Sequence, residues 1–172
     1  MRIEGSFEVG APIERTFREL RDAGLMARCV PGCDAIERES ASRYRARVTV
    51  DVGSIHATFN LTVEITQEDP PNRVISRTRG DEGSRASMLA ADNTVSLVAL
   101  GANATRVQYV SEVAVTGRLG KFALGVMKKK VESLGQEFAT RFRTALEERL
   151  SVDQSLPNQL PLASHVVPTE NS

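Results

Sequence analysis

The chain has 172 residues, of which 41% are hydrophobic and 26% charged, a composition typical of a globular protein with one domain. Lys plus Arg and Asp plus Glu both total 22, and this zero net charge argues against a general nucleic-acid binder, which carries a basic surface. There is no signal-peptide pattern and no apolar run near the roughly 18–20 residues that cross a bilayer. We therefore expect a cytoplasmic protein whose thiols stay reduced.

The first part of the chain predicts a strand followed by two short helices. RIEGSFEV is the expected strand. Pro12 is a favoured residue at a helix start, and IERTFREL after it has apolar residues at helical spacing. Asp22 is a good N-cap for a second helix, AGLMARCV, which Pro31 ends.

The strongest pattern is an antiparallel hairpin between YRARVTVDV (residues 44–52) and IHATFNLTVEI (residues 55–65). Gly53 at the first position of the connection favours a two-residue turn. The register set by this turn places apolar residues opposite apolar residues on one face. The predicted pairs are Val52 with Ile55, Val50 with Ala57, Val48 with Phe59, Ala46 with Leu61, Tyr44 with Val63, Asp51 with His56, Thr49 with Thr58 and Arg43 with Glu64. A slip of one residue would mix the two faces.

The segment that follows predicts further strands. EDPPNR is a turn by composition, RVISRTRG is a polar strand, and DEGSRASMLAADN is expected to be irregular or curved. NTVSLVAL and TRVQYVSEVAVTG form a second hairpin. Val95 and Leu97 share a face with Tyr109 only if the loop holds an odd number of residues, which implies a three-residue loop or a bulge.

A long helix is predicted from about Leu119 to Leu150, with apolar residues at helical spacing, and its length of about 45 Å would cross a whole sheet. The fold class is therefore α+β, with a curved antiparallel sheet of about six to seven strands wrapped around a long C-terminal helix. Residues 1–150 form the expected domain. Residues 151–172 contain prolines and no period, and they are expected to be a flexible tail.

The stretch CVPGCDAIE raises the question of a redox pair, half of a metal site or a turn. A redox pair needs Cys-x-x-Cys with the first thiolate at a helix N-terminus, whereas Cys29 ends a helix and Cys33 lies one residue too far. A structural zinc site needs four ligands, and the chain has two cysteines and two histidines. We therefore expect no metal site, and buried or half-buried thiols beside a Pro-Gly turn.

No nucleophilic triad or phosphate loop is present. His56 is expected on the outward face opposite Asp51, as a solvated pair. An enzyme would need an acid–base pair in the hollow, and the predicted inner face offers only Tyr109 and Ser111. We therefore expect no catalytic residues. Lys128, Lys129 and Lys130 are either a solvated helix face or a basic rim beside Phe122, Leu124 and Met127 that contacts anionic lipid, with Lys121 nearby.

Three segments carry a family resemblance: CVPGCDAIE, VTVDVGSIHATFNLTVEITQEDPPNR and VTGRLGKFALGVMKKKVESLGQEFATRF. Together they resemble the CoxG family of carbon monoxide dehydrogenase subunits, over residues 1 to about 149. The resemblance implies the helix-grip fold of the START-like, or SRPBCC, superfamily, and a hydrophobic ligand, a quinone or lipid, bound between sheet and helix. It also implies association with a molybdenum hydroxylase of the carbon monoxide dehydrogenase type and peripheral contact with the inner face of the membrane.

The hypothesis is therefore a non-catalytic accessory protein that recruits the hydroxylase to a membrane or delivers quinone to it, without a bound cofactor. An assembly factor acting through its surface and a START-like cyclase or hydrolase remain as alternatives. Ordinary core packing is the simplest interpretation of each wall residue taken alone. The candidate cavity walls are Val48, Phe59, Leu61, Val95, Leu97, Tyr109, Val113, Phe122, Val126 and Phe138.

Overall fold

A computed structural model of the protein describes residues 1–83, 86–122 and 124–155. In chain order the elements are β1 (Arg2–Val9), α1 (Ile13–Leu20), α2 (Ala23–Cys29), β2 (Cys33–Arg38), β3 (Arg43–Val52), β4 (Ile55–Asp69), β5 (Arg73–Glu82), β6 (Ser87–Gly101), β7 (Ala104–Gly117), a 3₁₀ turn (Leu119–Lys121) and α3 (Leu124–Ser155). The predicted α+β class is confirmed.

The seven strands form one curved antiparallel sheet in the order β1-β7-β6-β5-β4-β3-β2. Strand β2 is the element that sequence analysis missed. It is a short edge strand whose positions are mostly exposed, so its hydrophobic pattern is weak beside the Pro-Gly turn signal that precedes it. The α1–α2 pair connects β1 at one edge of the sheet to β2 at the other.

The predicted register of the β3–β4 hairpin is confirmed pair by pair, from Val52 opposite Ile55 to Arg43 opposite Glu64. Gly53 has a φ of +59°, the left-handed region that the tight turn requires. For the β6–β7 hairpin the sequence predicted either a three-residue loop or a bulge, and the bulge is confirmed. The register shifts between Ala99 and Gly101, and this shift sets Val95 opposite Tyr109.

The segment expected to be irregular is mostly strand. Strand β5 continues to Glu82 and β6 begins at Ser87, so only the short connection between them is not strand among the described residues. The alternation is weak here because small alanines occupy the positions, but hydrogen bonds from strands on both sides hold the segment in the sheet. Asp81 pairs with Met88 on one side, and Ala91 pairs with Val113 on the other.

Helix α3 has 32 residues, about 48 Å at the usual rise, and it differs from its prediction at both ends. A separate 3₁₀ turn occupies Leu119–Lys121, and the helix begins at Leu124. It continues to Ser155, five residues past the predicted end, and Asp153 in this extension pairs with Arg15 of α1. The remainder of the predicted tail, 156–172, lies outside the described residues. No helix among the described residues is long and apolar enough to cross a membrane.

Two groups of large side chains hold α3 against the sheet. Near its middle, Phe138 and Phe142 of α3 pack against Phe7 of β1, with ring centroids 6.2 and 6.1 Å from the Phe7 ring. Near its N-terminal end, Met127 packs in a cluster with Phe59 of β4. The part of the helix between these two clusters lies over the concave face of the sheet.

The α1–α2 pair is tied to α3 by charged side chains. The Arg149 guanidinium of α3 donates to the buried Glu19 carboxylate, which also pairs with Arg15 at 2.8 Å. The same Arg149 guanidinium lies 3.5 Å from the Asp22 carboxylate. Asp22 caps α2 by accepting a hydrogen bond from the Leu25 N–H at 2.7 Å. That bond, with the nearby Arg149 charge, lowers the pKa of Asp22 below its ordinary value.

The lowered pKa of Asp22 predicts a defined pH dependence. A carboxylate whose pKa is lower in the folded state stabilises the fold above its unfolded pKa, and this stabilisation is lost as pH falls through the folded pKa. As pH falls from about 5 to about 3, we expect the free energy of unfolding to decrease less in Asp22→Asn than in the wild type. Asp22→Ala, which also removes the cap acceptor, should cost about 1 kcal/mol more at pH 7. Urea unfolding at several pH values measures both effects, and equal curves for wild type and Asp22→Asn would contradict the assignment.

Candidate ligand-binding cavity

A cavity of about 410 Å³ lies between α3, the α1–α2 pair and the concave face of the sheet. This volume is within the range of small-molecule sites. Its walls combine many half-buried apolar side chains with a few polar ones: Phe7, Phe17, Leu20, Arg21, Ala23, Met26, Val30, Ile36, Tyr44, Ala46, Val63, Ile65, Val74, Ser76, Asn93, Val95, Val107, Tyr109, Ser111, Gly135 and Phe138.

A second, smaller cavity of about 120 Å³ continues along the same trough toward the N-terminal end of α3. The two cavities are lined by residues two positions apart on the same strands, which therefore point to the same face of the sheet. On β3, Ala46 lines the larger cavity and Val48 the smaller, and Ser111 and Val113 divide in the same way on β7. The smaller cavity is lined by apolar side chains and by Lys130.

The outer face of the sheet carries a wider depression of about 590 Å³. Most of the side chains around it are charged or polar, among them Arg43, Glu64, Arg77 and Arg79. The candidate site is assigned to the concave face instead, because enclosure by apolar walls is what removes a ligand from water.

A row of polar side chains crosses the larger cavity on three adjacent strands. Ser76 of β5 is the register partner of Asn93 of β6, which is the partner of Ser111 of β7. The Ser111 hydroxyl donates to Asn93 Oδ1 at 2.8 Å. Asn93 Nδ2 donates to Thr78 Oγ1 at 3.2 Å and to Ser76 Oγ at 3.5 Å. The sequence signal for this row was visible only as single polar residues within the strand patterns.

Tyr109 lies two residues before Ser111 on β7 and also lines the larger cavity. Two glycines leave room for its hydroxyl group. A Cβ atom at Gly5 of β1 would lie 2.3 Å from Tyr109 Oη, and one at Gly135 of α3 would lie 2.7 Å from the same atom. Either distance is too short for two non-bonded atoms, so glycine at both positions is required for this placement of the ring.

Arg21 is the charged side chain of the cavity wall, and it already has partners. It donates to Glu68 at 2.8 Å, to the Tyr44 hydroxyl at 3.1 Å and to the Ala41 carbonyl at 3.1 Å. Its guanidinium also lies 5.7 Å from the centre of the Tyr44 ring. These contacts fasten the end of α1 to the β2–β3 connection and to β4, and they close one side of the cavity.

The predicted wall residues separate into four groups in the structure. Val95, Tyr109 and Phe138 line the larger cavity. Val48, Phe59, Leu61 and Val113 line the smaller one. Leu97 is 4% exposed and belongs to the filled core around Phe142, and Phe122 packs in the cluster around Phe59. The placement of Val126 in the wall was wrong: it is 48% exposed, because α3 turns the Met127 side to the sheet.

The four lysines of the chain all lie between residues 121 and 130. Lys121, Lys128 and Lys129 are exposed, whereas Lys130 is half-buried beside the smaller cavity. The apolar side chains that were expected beside these lysines on the surface are instead packed into the core. Met127 is 9% exposed and Phe122 is half-buried against Gly53. The side chain of Leu124 lies outside the described residues.

The cysteine motif forms a structural turn, as expected. Cys29 is buried and Cys33 half-buried, both are free thiols, and burial raises the pKa of each. Gly32 between them has a φ of +73°, and a Cβ atom there would lie 2.0 Å from the Thr49 carbonyl oxygen. The turn thus requires glycine to dock the end of α2 on β3.

His56 lies in an exposed pair with Asp51, Nδ1 to Oδ1 at 2.6 Å, as the hairpin register predicted. In the part of the chain that the structure describes, no group of three or more His, Cys, Asp or Glu side chains is placed to hold a metal ion.

Comparison with known proteins adds a family to this geometry. Residues 5–147 match the family of the carbon monoxide dehydrogenase CoxG subunit. The chain belongs to the CoxG family. No curated protein sequence matches it.

Solved structures of START-like proteins share its fold. A conserved protein from Geobacillus kaustophilus superposes with a TM-score of 0.79 at 18% identity, covering 86% of this chain and 96% of its own. A START superfamily protein from Mycobacterium smegmatis has a TM-score of 0.70 at 15% identity, covering 86% and 98%. The Zhui aromatase/cyclase from Streptomyces sp. R1128 has a TM-score of 0.67 at 17% identity, covering 87% and 95%. At these identities the likeness shows the START-like fold of this CoxG protein.

The close approach of the Tyr109 hydroxyl to Gly135 predicts that substitutions at these two positions have coupled effects on stability. Gly135→Ala should destabilise the protein by about 1–3 kcal/mol, because the new methyl group displaces the Tyr109 hydroxyl. In a Tyr109→Phe background the nearest atom is Cζ at 3.5 Å, an ordinary contact. There the better helix propensity of alanine should stabilise α3 by up to about 1 kcal/mol.

Denaturant unfolding of the four proteins of this double-mutant cycle measures the coupling. Gly125→Ala is the matched control on the same helix, since a Cβ atom there meets nothing within 4 Å. An equal effect of Gly135→Ala in both backgrounds would contradict the proposed contact.

Proposed function

We propose that this CoxG protein is a non-catalytic accessory protein that binds a hydrophobic ligand, a quinone or a lipid, in the cavity between α3 and the sheet. In this proposal it serves a molybdenum hydroxylase of the carbon monoxide dehydrogenase type, by recruiting it to the inner face of a membrane or by delivering quinone. The hydroxylase is suggested by the family to which the chain belongs.

The observation that carries the proposal is the apolar hollow itself. A cavity of about 410 Å³, partly open to solvent, remains between α3, the α1–α2 pair and the sheet, where a protein of this size could close-pack its core. Half-buried apolar residues such as Val63, Val74 and Val95 line it. A bound apolar molecule would supply the dispersion contacts that these side chains lack, and this gain would contribute directly to its affinity.

A non-catalytic role is supported by the chemistry of the wall. Among the described residues, the lining of the larger cavity contains no carboxylate and no imidazole. These are the groups that enzymes use most often to transfer protons to or from a bound substrate. Binding and release of an unchanged molecule need only shape, apolar surface and a few hydrogen bonds.

The test of ligand binding is a cavity-filling variant. Ala46 of β3 lines the larger cavity, so Ala46→Leu should occupy part of the ligand volume and lower the amount of apolar molecule carried by the purified protein. The measurement is organic extraction of native protein followed by mass spectrometry. Ala114→Leu makes the same change on the outer face of the sheet and should leave the bound amount unchanged.

Thermal unfolding of both variants checks that the fold is retained. The proposal is contradicted if wild type carries no apolar molecule and binds no quinone or lipid that is added. It is also contradicted if Ala46→Leu and wild type carry the same amount.

Membrane recruitment predicts a role for the exposed lysines. Each lysine near an anionic surface contributes about 1 kcal/mol, so Lys121, Lys128 and Lys129 changed together to Gln should weaken binding to anionic vesicles at low salt by about tenfold or more. Vesicle co-sedimentation measures the effect. The same three positions changed to Arg should bind as wild type does.

A second control separates local attraction from net charge. Arg43, Arg45 and Arg47 changed together to Gln remove three positive charges from the outer face of β3. If this variant loses vesicle binding and the lysine variant keeps it, the contact surface is the sheet and the lysine assignment is wrong.

A further inference from the structure

Strand β1 forms one edge of the sheet, and half of its backbone groups point away from the other strands. The α-amino group of Met1 donates to the Val113 carbonyl at 2.8 Å, and the Val113 N–H donates to the Met1 carbonyl at 2.7 Å. In an antiparallel ladder such hydrogen-bonded pairs alternate with pairs that do not bond each other. The β1–β7 register is unbroken, so Ile3, Gly5 and Phe7 also bond to β7. The even-numbered residues of β1 therefore direct their N–H and C=O groups to the open edge.

The backbone groups of this open edge belong to Arg2, Glu4, Ser6 and Glu8, whose side chains are exposed. No further strand lies beyond β1 in the described part of the chain. Arg143 Nε of α3 donates to the Glu8 carbonyl from that side at 2.9 Å, which agrees with the direction assigned to this carbonyl and leaves it a second lone pair. A row of such edge groups is a template for pairing with a strand of another molecule.

The two edges of the sheet differ in how they are protected from such pairing. Strand β2 at the other edge is short, its register shifts between Cys33 and Ala35, and helix α2 lies against it. Bulges and covering helices are devices by which proteins block the edges of their sheets. Strand β1 has eight residues, no register shift and neither proline nor lysine. It is therefore the edge that is better suited to accept another strand.

The sequence of β1 is complementary to itself in the antiparallel direction. Two copies related by a two-fold axis pair even-numbered residues with even-numbered residues, because these carry the edge-facing groups. With Gly5 at the axis, Arg2 faces Glu8 of the second copy, and Glu4 faces Ser6 of the second copy. Each of these facing pairs can exchange two backbone hydrogen bonds, and Arg2 with Glu8 adds an attraction between opposite charges.

The neighbouring registers are less favourable. An axis at Glu4 places the two Glu4 side chains opposite each other, and an axis at Ser6 places Glu4 opposite Glu8. Like charges directly opposite each other destabilise a strand pair. An axis at Ile3 or at Phe7 avoids like charges but pairs a shorter stretch of the strand. The register centred on Gly5 is thus the longest one without a like-charge pair.

We propose that the β1 edge is an interaction surface for a second copy of this chain, which pairs with it antiparallel, with Gly5 at the two-fold axis. The sheets of the two copies then continue into each other across an isologous contact. Side chains on the concave face add little, since Ile3 and Phe7 are already buried in each copy. A contact of backbone bonds and two charge pairs belongs to the class of small, transient interfaces, so the dimer is expected to be weak.

Blocking the edge tests this contact. Sedimentation velocity of the full chain, with any purification tag at the C-terminal end, should show a dimer that increases between about 10 μM and about 500 μM protein. Ser6→Pro removes an edge-facing N–H that β7 does not use, and it should weaken dimerisation about tenfold or more. Ser6→Ala keeps this N–H and should dimerise as wild type does. Thermal unfolding checks that both variants retain the fold.

Charge reversal tests the register without changing the backbone. Arg2→Glu alone and Glu8→Arg alone each place like charges opposite each other in both pairs, so each variant should dimerise about tenfold more weakly than wild type. In an equimolar mixture the two variants form a mixed dimer in which both pairs again have opposite signs, and dimerisation should return to about the wild-type level. Arg77→Glu and Glu64→Arg make the same changes away from the edge. Each should dimerise as wild type does, alone or mixed.

Each part of the proposal has an outcome that overturns it. A monomer at every concentration overturns the second copy as the occupant of this edge. Dimerisation that Ser6→Pro leaves unchanged overturns the edge as the contact surface. A mixture of Arg2→Glu and Glu8→Arg that dimerises no more than its components overturns the register. None of these measurements requires a bound ligand, so the proposed function can fail without affecting them.

Discussion

The structure depends on how the first half of helix α3 is held against the sheet. Phe138 and Phe142 pack against Phe7 near the middle of the helix, and Met127 packs in the Phe59 cluster near its N-terminal end. Between them the helix is stiff, because its backbone hydrogen bonds are internal, and the sheet below it is curved. A straight helix fixed at two points over a curved sheet leaves a gap between those points, and the two cavities occupy that gap.

The size of the side chains between the two anchors keeps the gap open. Ala46, Ser76, Ser111 and Gly135 face the space where a close-packed protein would place leucine or phenylalanine. Unfilled volume costs stability, since wall atoms lose dispersion contacts on one side. Folded proteins retain such local costs mainly at functional sites. The proposed ligand would offset this cost by restoring the dispersion contacts that the wall atoms lack.

Charged side chains play two distinct roles around this framework. Glu19 and Glu82 are buried and paired with Arg149 and Arg118, and these pairs join α1 to α3 and the end of β5 to the segment after β7. The Arg118 bond lowers the pKa of Glu82, so that carboxylate stays ionised in the fold. On the outer face, one row of register partners mixes both signs across six strands: Arg43, Glu64, Arg77, Asp92, Glu112 and Arg2. The lysines near the start of α3 differ, because they are of one sign and close together in the chain.

The sequence by itself determined the features that rest on local periodicity. The β3–β4 register followed from one turn and an unbroken alternation, because a one-residue slip would bury Arg45 and expose Val48. The bulge near Gly101 followed from the same parity argument, and the long helix from its apolar spacing. The resemblance of three segments to the CoxG family predicted the fold and the existence of a hollow, and the family is confirmed.

Only the tertiary structure decided which residues border the hollow and which fill the core. Val95 and Leu97 have the same pattern in the sequence, yet Val95 lines the larger cavity and Leu97 is packed. Val126 has the spacing of a core residue but is exposed, since the packing of Met127 sets the rotation of the helix. The packing of Tyr109 against Gly5 and Gly135 brings together β1, β7 and α3, and the Ser76–Asn93–Ser111 row spans three strands. Periodicity assigns a residue to a face, but the distance to the opposite wall depends on side chains that are far away in the sequence.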